Sequence, residues 1–164
     1  MTSMRTVSLL AATVTMGLSA GVFDLYAHTI LPGLKTTDDR TFVGAFQAID
    51  RAIINPWFIG ATFFGALVAT TLATITHRHQ PSGNPIAFAL AAYLVVVIIT
   101  LAVNVPLNNA IKAAGDPDTI NATAIRGQFN EARWAAWNLV RMVTSTGGFI
   151  GLAWALVLHG RATA

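Results

Sequence analysis

The sequence predicts an all-α membrane protein, a bundle of four transmembrane helices forming a single domain over residues 1–164. Three observations predict it. Only 10% of the residues are charged against 54% hydrophobic, with a mean hydropathy of +0.60. A soluble domain carries about 25% charged residues, so this chain cannot coat a water-facing surface. There are four apolar runs, at residues 7–28, 55–76, 86–103 and 137–158, each near the roughly 20 residues that cross a hydrocarbon core. The remaining polar residues gather at the ends of those runs.

The first run has no charge from residue 7 to residue 23. Arg5 ahead of it gives the layout of a signal peptide, but its length reads as a first span. The second opens on Asn55-Pro56, a capping side chain followed by a proline where no N–H is needed. A polar turn, His77-Arg78-His79-Gln80-Pro81-Ser82-Gly83-Asn84-Pro85, leads to the third, so spans two and three are antiparallel neighbours. The fourth carries one charge, Arg141, near its start. Gly17 with Gly21, and Gly147 with Gly151, are pairs of the kind that let helices approach closely in lipid.

Two long connections, 29–54 and 104–136, fall on one side of the membrane. Residues 41–53 repeat as a helix, with Phe42, Phe46, Ile49 and Ile53 on one face and Asp50 and Arg51 elsewhere. A second helical segment leads from residue 123 into the fourth span. Lys35, Arg40, Arg51, Lys112, Arg126 and Arg133 lie on the long-connection side, against Arg5, Arg78 and Arg161 on the other. That count puts the long connections in the cytoplasm, for a multi-pass protein of the cell membrane.

Composition also excludes function classes. The chain has no cysteine, which removes disulfides, iron–sulfur clusters and thiol catalysis. Its formal charge of +3 and pI near 10 come from basic residues in loops, without a basic stripe or nucleic-acid motif, so no nucleic acid is expected. Of the histidines, His77, His79 and His159 lie on one side and His28 on the other. No facial triad or four-ligand set is present, so no metal is expected. Without a dinucleotide fingerprint or phosphate loop, no bound redox cofactor is expected either.

The chemistry-bearing residues share one membrane face. Asp24 and His28 end span one, Asn55 opens span two, Asn104, Asn108 and Asn109 follow span three, and Trp134, Trp137, Asn138 and Arg141 open span four. An arginine inside a span costs about 3 kcal/mol, so it faces a partner or a wet cavity. With Asn138 beside it, Arg141 reads as an anion or oxyanion binder. Trp134 and Trp137 read equally as cavity walls or as an interfacial belt. Asp24 and His28, at i and i+4, form either a carboxylate-oriented base or an interfacial pair. The three carboxamides suit a neutral phenol or quinone, or cap and turn the chain.

Several segments together resemble the anthrone oxygenase family. They are Phe23-Asp24-Leu25-Tyr26-Ala27-His28, Phe46-Gln47-Ala48-Ile49-Asp50-Arg51 with Asn55-Pro56, Asn104-Val105-Pro106-Leu107-Asn108-Asn109, and Trp134-Ala135-Ala136-Trp137-Asn138-Leu139-Val140-Arg141. The resemblance implies a small membrane monooxygenase that turns a polyketide-type anthrone into a quinone with O2, without metal or flavin. It implies His28, oriented by Asp24, as base and Arg141 with Asn138 as oxyanion binders. Asn104, Asn108, Asn109, Gln47 and Asn55 would face the substrate's polar groups between Trp134 and Trp137. A second class stays open. The same face can bind a quinone or a lipid headgroup, or dock another copy or a partner subunit. Transport is disfavoured by the lack of an inverted repeat.

Overall fold

The computed structural model describes residues 4–163. Helix α1 spans Met4–Lys35, α3 Pro56–His77 and α4 Gly83–Ala113. Helix α2 spans Asp39–Ile53, α5 Ala122–Phe129 and α6 Glu131–Thr163. No strand occurs among the described residues. Four helices are long and apolar enough to cross a membrane, the fourth lying within Ala122–Thr163. In the bundle α1 packs on α3 and α6, and α4 packs on α6 and α3. Leu9, Met16, Ile86, Tyr93 and Leu152 fill its centre. The outer surface exposes Val14, Val68, Ile98, Val143 and Ile150, among others. Large apolar side chains on every side of a bundle belong in lipid.

Helices α1 and α4 run well past the expected span ends at residues 28 and 103, so the first part of each long connection is helix extension, and α2 and α5 lie in the remainder. Prolines explain the difference. Pro32 and Pro106 each lack an N–H and crowd the carbonyl four residues back, which ordinarily ends a helix. Here the turns before them, Tyr26–Ile30 and Thr100–Asn104, widen into π-helix. The Leu31 N–H then bonds Tyr26 O and the Val105 N–H bonds Thr100 O, both i to i+5. The widened turn absorbs the ring and the helix continues. A third π-helical segment, Pro56–Phe64, opens α3 under an Asn55 cap.

The extended ends carry α2 and α5 against them. Asp38 caps α2 by accepting from the Thr41 N–H at 3.0 Å and hydroxyl at 2.6 Å. The Thr41 hydroxyl, then its N–H, hold the Asp38 carboxyl below its usual range. The cap's contribution is therefore present above the unfolded carboxylate pKa and lost as pH falls through the lowered one. Helix α2 buries Phe42, Val43, Phe46, Gln47 and Asp50. The buried face is thus rotated from the expected one, and Asp50 lies inside it. Phe46 meets Phe129 at 4.5 Å and Trp134 edge-on at 5.7 Å between ring centres. Arg126 ties this layer together, bonding Thr37 O, Asp39 and Glu131 at 3.1 Å each.

Close helix approach also differs from expectation. Gly148 and Gly151, rather than Gly147, face α4: a Cβ at Gly151 would lie 3.1 Å from Pro85 O, while one at Gly147 would meet nothing within 4 Å. Gly17 sits under the Phe149 ring. The tightest position is Gly83, where a Cβ would lie 2.6 Å from the His77 carbonyl oxygen. Gly83→Ala must push the α3–α4 turn apart. Denaturation in detergent should show a loss of about 1–3 kcal/mol, and an unchanged midpoint would refute this tight fit.

Candidate functional site

Between the helix ends lies a cavity of about 230 Å³. Helix α3 packs on α4 near their joining turn, and the two separate towards this end. All three π-helical segments contribute to its wall, through Tyr26, through Phe58 and Phe63, and through Thr100. The α1 and α6 side adds Phe23, Trp134 and Arg141. The rim includes Ile54, Phe64 and Leu101, which are 58%, 43% and 55% exposed, so the cavity is bordered by apolar side chains on the outer surface.

Arg141 is 5% exposed and forms no ion pair among the described residues. Its Nη2 donates to Asn138 Oδ1 at 2.8 Å and its Nη1 to Thr100 Oγ1 at 3.2 Å, while its Nε has no hydrogen-bond partner. The guanidinium lies 4.5 Å from the centre of the Phe23 ring and 5.3 Å from that of Trp134. These faces attract a cation without neutralising it.

A hydrogen-bonded line runs along the other part of the wall. Trp134 Nε1 donates to Asn108 Oδ1 at 2.6 Å, and Asn108 Nδ2 donates to Asp50 Oδ1 at 2.6 Å. Lys112 Nζ lies 2.7 Å from Asp50 Oδ2. The charged groups lining the cavity are Arg141, Lys112 and Asp50, so the wall holds one positive charge in excess.

The structure divides the expected site. Arg141, Asn108, Asn109 and Trp134 line the cavity. Asn138 stands behind Arg141, donating to Phe23 O at 2.9 Å and holding the guanidinium with its own oxygen. Asn104 is buried beside α6 and donates to Trp134 O at 3.4 Å. Gln47 donates to Ile111 O and Gly115 O at 2.8 and 3.1 Å, pinning the α4 end. Asn55 accepts from the Phe58 N–H at 2.9 Å as a helix cap. Trp137 is 38% exposed on the outer face of α6, one step off the buried stripe of Trp134, Asn138 and Arg141.

Asp24 and His28 do form a pair, at 3.3 Å, but their side chains are 53% and 58% exposed on the outside of α1 and do not line the cavity. The cavity side of that helix is Val22, Phe23 and Tyr26. Asp50, Lys112 and Tyr26 complete the wall and were not expected there. On the opposite face His77 is buried and packs edge-on to His159, 5.2 Å between ring centres, while His79 is exposed. No group of three or more His, Asp or Glu side chains converges on a metal site among the described residues.

These features define a class: a small helical membrane protein with an apolar cavity between its helix ends, lined by a buried guanidinium. A family model described as anthrone oxygenase matches residues 55–151 of the chain. The protein belongs to the anthrone oxygenase family. No curated protein and no solved structure matches it at a comparable level. The matched stretch contains Asn108, Lys112, Trp134, Asn138 and Arg141, whereas Tyr26 and Asp50 precede it.

Proposed function

We propose that the protein is a membrane monooxygenase that oxidises an anthrone-type, phenolic aromatic substrate to the quinone with O2. The observation that carries this reading is Arg141, a buried guanidinium with no carboxylate partner among the described residues, lining an apolar, aromatic-walled cavity. A buried unpaired charge is costly and is retained where it meets an opposite charge during function.

An anthrone has an acidic methylene opposite a ring carbonyl. Loss of one methylene proton leaves the electron pair delocalised onto that carbonyl as an enolate. Arg141 is placed to hold the oxyanion, with Asn138 and Thr100 fixing its fork. The electron-rich enolate reduces O2 and forms a C–O bond to it. Cleavage of the O–O bond then releases water and leaves the new carbonyl, so one O2 and two methylene hydrogens become one carbonyl oxygen and one H2O. The substrate supplies the electrons. The protein supplies a base, an anion site and a dry slot. Asn109, on the same wall, would meet a phenolic hydroxyl.

The test is incubation of the purified, metal-stripped protein with an anthrone, first without and then with air, against a no-protein control. The expected result is quinone formation accelerated over autoxidation only when O2 is admitted. Equal rates with and without protein would remove the oxygenase reading. A chelator-insensitive rate is also expected, and loss of the rate on chelation with recovery on adding a metal would contradict the cofactor-independent scheme.

A further inference from the structure

We infer that Asp50 is the catalytic base of this site, held by Asn108 and balanced by Lys112. This rests on the reading above, in which the cavity takes an anthrone-type substrate. Among the described residues lining the cavity, Asp50 is the one carboxylate and none is a histidine. Asp50 is 5% exposed, and both its oxygens are engaged, by Asn108 at 2.6 Å and by Lys112 at 2.7 Å. A base fixed on two sides keeps one orientation towards the cavity. Asn108 is fixed in turn by Trp134.

The charges are consistent with the step. Before it the wall carries two cations and one carboxylate. The substrate's methylene C–H breaks, its proton goes to the Asp50 carboxylate, and its electron pair becomes the enolate held by Arg141. The negative charge moves from one cation's partner to the other cation, and the net charge of the buried site is unchanged. Creating separated charge in a low dielectric is therefore avoided. A carboxylate is a weak base, yet it suffices here, because the carbanion is delocalised onto an oxygen beside a guanidinium. Asp24 and His28, exposed on the far side of α1, offer no such balance.

The step needs no O2, so it can be measured apart from oxidation. Wild-type protein in nanodiscs is incubated anaerobically in D2O with anthrone, and methylene hydrogen–deuterium exchange is followed. The wild type should accelerate exchange over the no-protein control. Asp50→Asn should lower that acceleration by about 10²-fold or more, and so should the charge-balanced double variant Asp50→Asn with Lys112→Gln. Both should still bind anthraquinone, read by quenching of tryptophan fluorescence. Retained exchange in either variant overturns the assignment. So does loss of exchange together with loss of anthraquinone binding, which makes Asp50 structural. So does loss in His28→Ala with retention in Asp50→Asn, which returns the proton to the histidine. Wild-type exchange without quinone on admitting air would leave Asp50 as base and remove the oxygenase reading. Quinone formed equally by wild type and Asp50→Asn would do the reverse. Wild-type protein that accelerates neither process overturns both.

Discussion

Arg141→Met should lower kcat for anthrone oxidation by about 10²–10³-fold, the usual loss when one oxyanion donor is removed, while the bundle stays folded. The two effects separate because Arg141 forms no ion pair among the described residues. Methionine has a similar reach and fills the space beside Phe23 and Trp134 without a charge to desolvate. Removing an unpaired buried charge relieves its desolvation cost, but it leaves Asn138 Oδ1 without its donor, at about 1–3 kcal/mol, so the denaturation midpoint should shift only modestly. Arg141→Lys should fall between the two in activity. Lysine keeps the charge but, as a compact point charge, cannot reproduce the fork that reaches Asn138 and Thr100 together. Steady-state kinetics and detergent denaturation on the same preparations check both halves. Full activity in Arg141→Met would take the anion site out of the mechanism.

Asn108→Leu should destabilise the protein by about 2–4 kcal/mol, from the cost of about 1–3 kcal/mol for each buried polar group left without its partner. Asn108 links Trp134 Nε1 to Asp50 Oδ1, so its removal orphans a donor and an acceptor at once. The loss should be partly recovered when Trp134 is also changed to phenylalanine, since the orphaned N–H is then gone. A double-mutant cycle on denaturation free energies measures this, and a coupling near zero would mean that the Trp134–Asn108 bond contributes nothing. Both groups are in contact, so additivity is not expected.

Much of the fold was readable in the sequence because lipid imposes a simple rule of length and composition. The four runs, the antiparallel pair around the 77–85 turn and a helix near residues 41–53 all appear in the structure. The ends of α1 and α4 were not readable in the same way. A proline after an apolar run normally marks a boundary, and whether the chain widens one turn and goes on depends on what packs against it beyond. The cavity wall is legible in the sequence where a residue breaks the rule of its own helix, as Arg141 does inside an apolar span. Asp50 broke no such rule. A carboxylate on a short amphipathic helix looks like a solvated face, and only Lys112 and Asn108, about 60 residues away in sequence and brought in by the α4 extension, make its burial possible. The Asp24–His28 spacing predicts a pair, and the two side chains do meet at 3.3 Å, but helical spacing gives the relation of two side chains to each other, not the direction in which both point.

Under the proposed function, the rim of the cavity has a kinetic consequence. Ile54, Phe64 and Leu101 face outward at the edge of the opening between α3 and α4. A ligand that crosses such an edge is drawn from the surrounding hydrocarbon and not from the aqueous phase. Its effective concentration is then a mole fraction in the bilayer, set by partitioning and by how much lipid or detergent is present. An apparent KM quoted per litre of solution would rise as inert lipid is added at constant substrate, with kcat unchanged. Rates for this protein become comparable between preparations only when substrate is counted per lipid molecule, and surface dilution becomes a variable to control in every assay.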